Sequence, residues 1–196
     1  MAIAEEHRRT LMRSKKIAVI IGSLRKESFS RKTAKALIAL APESLALEII
    51  EIGGLPIYNQ DLEEPPPNAW TDFRERLKNF DGFLFVTPEY NRSVPAVLKN
   101  AIDVGSRPYG KNIWDGKPGA IVSVSPGVLG AFGANHHLRQ SLVFLNVLTM
   151  AQPEAYVGGA AKLFDDRENL TNDSTREFLK KFMTAFGEWV IRFSAR

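Results

Sequence analysis

The chain contains no cysteine. This excludes a disulfide framework, a thiolate zinc site and a cysteine nucleophile, and it suits a reducing compartment. No apolar run approaches the ~20 residues needed to cross a bilayer. The opening stretch "MAIAEEHRRTLMRSKK" has no apolar core ahead of a cleavage site, so a cytoplasmic protein without a membrane partner is expected. There are only three histidines, none in a triad or metal-ligand spacing, and no metal site is expected. The net charge is +4, but the cations are scattered and have no interleaved aromatics. That favours small anions over nucleic acid as partners.

What is present is ordinary globular composition, 44% apolar and 24% charged, over 196 residues. Such a length suits one domain burying roughly 70% of its unfolded surface. A basic arm is expected over 1–15 and a single domain over 16–196.

The pattern alternates. "KIAVIIG" (16–22) reads as a strand buried on both faces. Ser28 or Ser30 caps a helix running to about Leu40, which Pro42 helps to end. Strands follow at 45–52, 81–88 and 119–125, and a short fifth one lies within 149–158. Helices are expected at 69–80, at 93–105 with Pro95 in its first turn, from Asn135 through "NHHLRQSLVFLNVL", and at 172–193. The last carries Phe178, Phe182, Phe186, Trp189 and Phe193 near one stripe, read as core. Trp70, Trp114 and Trp189 are read as packing residues, with Trp114 alone in a loop that could reach a neighbouring subunit.

Strand–helix alternation implies a three-layer α/β sandwich around a five-stranded parallel sheet. In the order 2-1-3-4-5, the first and third strands flank a switch point, where ligands bind beyond the strand carboxyl ends. Three unusual loops fall at such ends: 22–31, 88–93 and 125–133.

The first, "GSLRKESFSR", is neither G-x-x-x-x-G-K-[ST] nor G-x-G-x-x-G. It offers the Ser23, Ser28 and Ser30 hydroxyls, Arg25 and the free N–H groups of a helix start. Such a set suits a phosphate monoester. The alternative is that the serines only cap a helix, but capping needs one of them. The second, "TPEYNRSVP", is stiffened by Pro88 and Pro95, and its backbone could read the edge of a flat heterocycle. The third, "SVSPGVLGAFGA", has three glycines that let backbone approach a bulky ligand. Together they suggest a phosphorylated flat ring. The sequons at Asn91 and Asn169 are discounted without a secretory signal.

"GSLRKESFSR", "TPEYNRSVPAVLKNAID" and "HHLRQSLVFLNVL", in that order, resemble the NADPH-dependent FMN reductase family, in its bacterial chromate and quinone reductase branch. The resemblance runs from about residue 15 to near the end. It implies a flavodoxin-like fold holding FMN non-covalently in a homodimer or homotetramer. It assigns the phosphate to Ser23, Arg25, Ser28, Phe29 and Ser30. The ring falls to Pro88, Glu89, Tyr90 and Asn91, with Val124 and Ser125 approaching it and Pro126 and Gly127 adjacent.

The implied activity is hydride transfer from NADH or NADPH through flavin N5 to a small-molecule acceptor, by ping-pong exchange at one site. The acceptor would be a quinone, chromate, an azo dye or free flavin. No side chain is expected to act as a general acid or base. Arg107 and Lys111 are read as solvated loop residues, or else as steering anions near the crevice. The resemblance also implies a polar network between dimers around Glu154. Its usual arginine and tyrosine partners are Gly133 and His136 here; a His136–Glu154 contact could substitute, or else His136 and His137 are helix-surface residues. The alternative function is a flavodoxin-type electron carrier, which a net charge of +4 disfavours. A binding module on the same fold would require altered loops.

Overall fold

The computed structural model describes residues 14–194. His7 and residues 1–13 of the expected arm lie outside them. Six strands and five α-helices alternate: β1 (Lys15–Ile21), α1 (Phe29–Ala39), β2 (Leu45–Ile50), α2 (Asn68–Lys78), β3 (Gly82–Thr87), α3 (Ala96–Gly105), β4 (Pro118–Val124), α4 (Phe132–Phe144), β5 (Leu148–Thr149), β6 (Ala155–Val157) and α5 (Asp173–Phe193).

Successive strand side chains point to opposite faces, and each face of this sheet is covered. Ile17, Val19, Ile21, Leu84 and Val86 pack against α1 and α5 through Leu37, Leu179, Phe182 and Phe186. The alternate residues Ala18, Ile20, Phe83 and Phe85 meet Trp70 and Leu77 of α2, Leu98 of α3 and Leu138 of α4. Strands buried on both faces are continuously apolar, as "GFLFVT" in β3 shows. The expected stripe on α5 is core from Phe182 to Phe186, while Phe178 is 36% exposed.

All strand pairs are parallel, in the order β2-β1-β3-β4-β5. The fold is therefore the flavodoxin-like sandwich. Its last strand departs from expectation, because it is two pieces. β5 pairs with Pro118 and Gly119, and β6 pairs with Val122 to Val124. Pro153 between them has no N–H to give a ladder, so the sheet has six strands rather than five.

Two helix starts also move. α3 begins at Ala96 with Pro95 as its N-cap, not in its first turn. Ser93 is held outside the helix by mutual backbone bonds with Tyr90, Tyr90 N–H to Ser93 C=O at 3.1 Å and Ser93 N–H to Tyr90 C=O at 2.9 Å. α4 begins at Phe132, three residues before the expected Asn135.

Trp114 is fully buried within the chain and packs as a core residue. Its Nε1 donates to the Ile102 carbonyl at 3.0 Å, and its ring stands edge-on to Phe83 at 4.7 Å. Among the described residues, no helix is long and apolar enough to cross a membrane, and no cluster of side chains could hold a metal ion.

Candidate functional site

Parallel pairing puts the ends of β1, β3 and β4 on one edge of the sheet, so the three loops emerge together. The first and second touch directly. Gly22 N–H donates to Val86 C=O at 2.9 Å. A Cβ on Gly22 would come 3.1 Å from Thr87 Oγ1 and 3.2 Å from Pro88 Cδ, so a side chain there would crowd this junction.

Within the first loop the three serines have different occupations. Ser28 is the N-cap of α1 and accepts the Arg31 N–H at 3.3 Å. Ser23 Oγ accepts the Arg25 N–H at 3.4 Å and shapes the turn. Ser30 is 1% exposed, and its Oγ has no hydrogen-bond partner among the described residues. Thr33 Oγ1, one turn along α1, shares that condition. A buried hydroxyl without a partner costs about 1–3 kcal/mol, and of these two Ser30 lies at the start of α1 beside the first loop.

The cations divide in the same way. Arg31 forms a two-point pair with Glu51 at 2.9 and 2.8 Å, and this pair raises the guanidinium and lowers the carboxyl. Lys32 lies 3.3 Å from Glu27. Arg25 is exposed and its guanidinium meets no carboxylate among the described residues. The N–H groups of Phe29 and Ser30 open α1, where a helix leaves its donors unfilled. Phe29 itself packs against the core behind them.

The second loop is a tight reversal. Tyr90 and Ser93 form an antiparallel bridge, with Asn91 at φ 50° and Arg92 at φ 64°. The Tyr90 backbone is thus paired internally and cannot read a ring edge. Asn91 makes no hydrogen bond among the described residues, and the Glu89 N–H is likewise uncommitted. Pro88 C=O accepts from Thr87 Oγ1 at 2.8 Å. The Glu89 carboxylate is also engaged, its Oε2 accepting the Ala134 N–H at 2.9 Å. The Tyr90 ring is half exposed.

The third loop is braced from within. Ser125 N–H donates to Val157 C=O and its own C=O accepts from Ala160 N–H, while its Oγ donates to Gly127 C=O at 3.1 Å. Val124 is buried at the end of β4. Below, Ser123 Oγ donates to Gly130 C=O at 2.7 Å and accepts from Asn135 Nδ2 at 3.2 Å. Sequence reading missed this pair. Its only trace is two polar residues at otherwise core positions.

Beside this loop stands an aromatic group. Phe132 lies 4.2 Å from the His136 ring and 5.2 Å from Tyr156. Within the chain, His136 Nε2 lies 3.0 Å from the Tyr156 hydroxyl, and Glu154 is 3.9 Å from Arg139 Nε. Tyr156, which carries the longer aromatic reach, stands between the two. Burial and the neighbouring Glu154 push its phenol up to about 12.

Arg107 is not a solvated loop cation either. Glu63 accepts from its Nε at 2.7 Å. Lys111 is exposed.

The NADPH-dependent FMN reductase family matches residues 15–162. The chain is 64% identical over 175 residues to a quinone reductase of Pseudomonas putida, covering 89% of this chain and 94% of that one. It is 44% identical to a 2-hydroxy-1,4-benzoquinone reductase of a Burkholderia species, with 89% and 96% covered. Among solved structures it is similar to FerB, a flavoenzyme NAD(P)H:(acceptor) oxidoreductase from Paracoccus denitrificans. There the TM-score is 0.86 at 41% identity, over 91% of this chain and 98% of that chain.

Proposed function

This chain belongs to the NADPH-dependent FMN reductase family, with FMN as cofactor and NAD(P)H as co-substrate, and we propose that it reduces quinones. The quinone assignment comes from the relatives in Pseudomonas putida and Burkholderia. Chromate, azo dyes and free flavin are proposed as further acceptors, and the donor is proposed to leave before the acceptor enters. The working form is proposed to be a homodimer, or a homotetramer, in the cytoplasm.

One observation carries the reading on this chain's own residues. Among the described residues Ser30 Oγ is buried without a partner, and Arg25, just before the same helix start, meets no carboxylate. A phosphate monoester fits that donor set, since it brings acceptors and negative charge to unfilled N–H groups. Arg25, the Ser23, Ser28 and Ser30 hydroxyls and the Phe29 and Ser30 N–H groups would hold the phosphate; Ser23 and Ser28 also shape the loop by accepting backbone N–H groups, which leaves their O–H groups to donate. Pro88, Glu89, Tyr90 and Asn91 would border the ring, with Asn91 offering the uncommitted N–H and amide. Val124 and Ser125 would close the other side as braced backbone. FMN there supplies the two-electron chemistry, and the protein supplies binding and orientation. With the donor and acceptor sharing one opening, the chain need place only a flat, half-apolar rim. Phe132, Leu129 and Val128, all exposed beside the third loop, provide one.

The test is a visible spectrum of the purified protein, followed by anaerobic NADH and then NADPH. Yellow flavin that bleaches and regains colour with a quinone supports the reductase, and the faster nucleotide names the donor. Flavin that stays oxidised with both donors points to an electron carrier. Failure to take up added FMN sinks the reading.

A further inference from the structure

The second loop is fastened to the helix that follows the third. Glu89 Oε2 accepts the Ala134 N–H at 2.9 Å, across 45 residues of chain. That N–H lies in the first turn of α4, where backbone donors have no partner within the helix. α4 has no cap of its own. Its N-cap, Ala131, sits at φ 61° and makes no side-chain cap bond. The acceptor that serine or aspartate supplies at an ordinary helix start comes here from another loop.

The clasp requires a residue without a side chain at Gly133. A Cβ there would lie 2.9 Å from the Arg92 carbonyl oxygen and 2.9 Å from Glu89 Oε2. The resemblance places an arginine at this position, so the glycine is a departure with a local use. One turn further on, His137 Nδ1 lies 3.0 Å from Ser93 Oγ and adds a second tie between the same two elements. The Glu89 side chain is 13% exposed, and its other oxygen is 3.5 Å from Arg92 Nη1. Its carboxylate is therefore committed to protein groups.

We propose that Glu89 is a positioning residue, which caps α4 from a distance and so holds the 88–93 and 125–131 loops at one fixed spacing around the flavin ring. The inference rests on the reading that these loops hold FMN. It removes the Glu89 side chain from the ring-contacting set and leaves its N–H and Asn91 among the loop's groups that are uncommitted to other described residues. A carboxylate oxygen is a stronger acceptor for a helix N-terminal N–H than a neutral amide oxygen.

The test compares wild-type, E89A, E89Q and G133A proteins by FMN titration with flavin fluorescence, by the visible circular dichroism of bound flavin, and by urea denaturation. E89A is expected to raise the FMN Kd about tenfold and weaken the flavin dichroism, as the loss of a charge-assisted bond requires. E89Q keeps an acceptor oxygen but not the charge, and a rise of about threefold is expected. G133A keeps Glu89 but forces the clasp open, and it should resemble E89A even where E89A folds poorly. Unchanged FMN affinity and dichroism in both E89A and G133A, whatever their urea midpoints, would leave Glu89 as a helix cap only and overturn the proposal. Equal losses in E89A and E89Q with G133A like wild type would mean direct contact with the cofactor, and would overturn it too. Wild-type protein that takes up no FMN would overturn the functional reading itself, a distinct result.

Discussion

Arg107 and Glu63, 44 residues apart, meet at two points, Nε to Oε1 at 2.7 Å and Nη2 to Oε2 at 3.3 Å. The Tyr58 hydroxyl donates to the same Oε1 at 2.7 Å, and the Arg107 guanidinium lies 5.8 Å from the centre of the Tyr58 ring. Asn100 of α3 completes the fastening. Its Oδ1 accepts the Tyr58 N–H at 2.8 Å and its Nδ2 donates to Pro56 C=O at 3.1 Å. The long loop after β2 is thereby tied down against α3 and the segment beyond it.

That tie has a pH signature. Arg107, and then the Tyr58 hydroxyl, hold the Glu63 carboxyl below its ordinary range. A depressed folded value stabilises the protein above the unfolded value, near ~4.3 for glutamate, and the gain fades as pH falls through the folded value. The R107A protein should therefore melt below wild type at neutral pH. The gap should close progressively in acid below about pH 4. Thermal melts followed by circular dichroism across this range decide the matter, and a gap that stays constant would contradict it.

The serines of the first loop should separate stability from binding. Replacing the cap in S28A should cost about 1 kcal/mol of folding stability. S30A removes a hydroxyl that has no partner among the described residues, so the FMN-free protein should be no less stable. Its FMN affinity should nonetheless fall about tenfold, by roughly 1.5 kcal/mol for one lost bond to a charged group. Urea midpoints of FMN-free protein, set beside FMN titrations, would expose the opposite pattern if it occurred.

Arg25 is expected to recognise charge and not the ring. R25A should weaken FMN binding by about tenfold to a hundredfold, while affinity for riboflavin, which lacks the phosphate, stays the same. Parallel fluorescence titrations with the two flavins check this. Equal losses for both would place Arg25 elsewhere.

Gly105 marks a tight contact in the core beneath the site. A Cβ there would lie 2.5 Å from Trp114 Cζ2 and 2.6 Å from Cε2. Because the indole is fully buried and bonded to Ile102, it has nowhere to move. G105A should destabilise the protein by about 1–3 kcal/mol, despite the better helix propensity of alanine. The shift in urea midpoint at unchanged m-value measures it.

Tyr156 should remain un-ionised above the ordinary tyrosine range near ~10, since its phenol is pushed up to about 12. A raised folded value means its contribution is full below the ordinary tyrosine range near ~10 and is lost as pH rises towards the folded one. Alkaline titrations at the phenolate absorbance should show no difference between wild type and Y156F below about pH 11. A difference already present near pH 10 would refute it.

Periodicity alone determined most of the fold. Short β-branched and aromatic runs such as "KKIAVII" and "GFLFVT" read as strands covered on both faces, and amphipathic stretches between them supply the covers. Parallel strands then place the loops after β1, β3 and β4 on one edge, because each returns through a helix. The surplus of serines at 22–31 was likewise legible, since one cap leaves two hydroxyls to explain.

Tertiary structure alone decided how those groups are used. Which serine caps, which braces and which stays free depends on where α1 meets the sheet. The Glu89 carboxylate reaches Ala134, and Arg107 reaches Glu63, across more than 40 residues with no periodic trace in the chain. Trp114 turned inward because Gly105 leaves room for an indole, which a loop sequence does not announce. Local pattern follows from backbone geometry repeated every two or 3.6 residues. Long-range pairing follows from which unmatched polar groups the packed helices bring within about 3 Å.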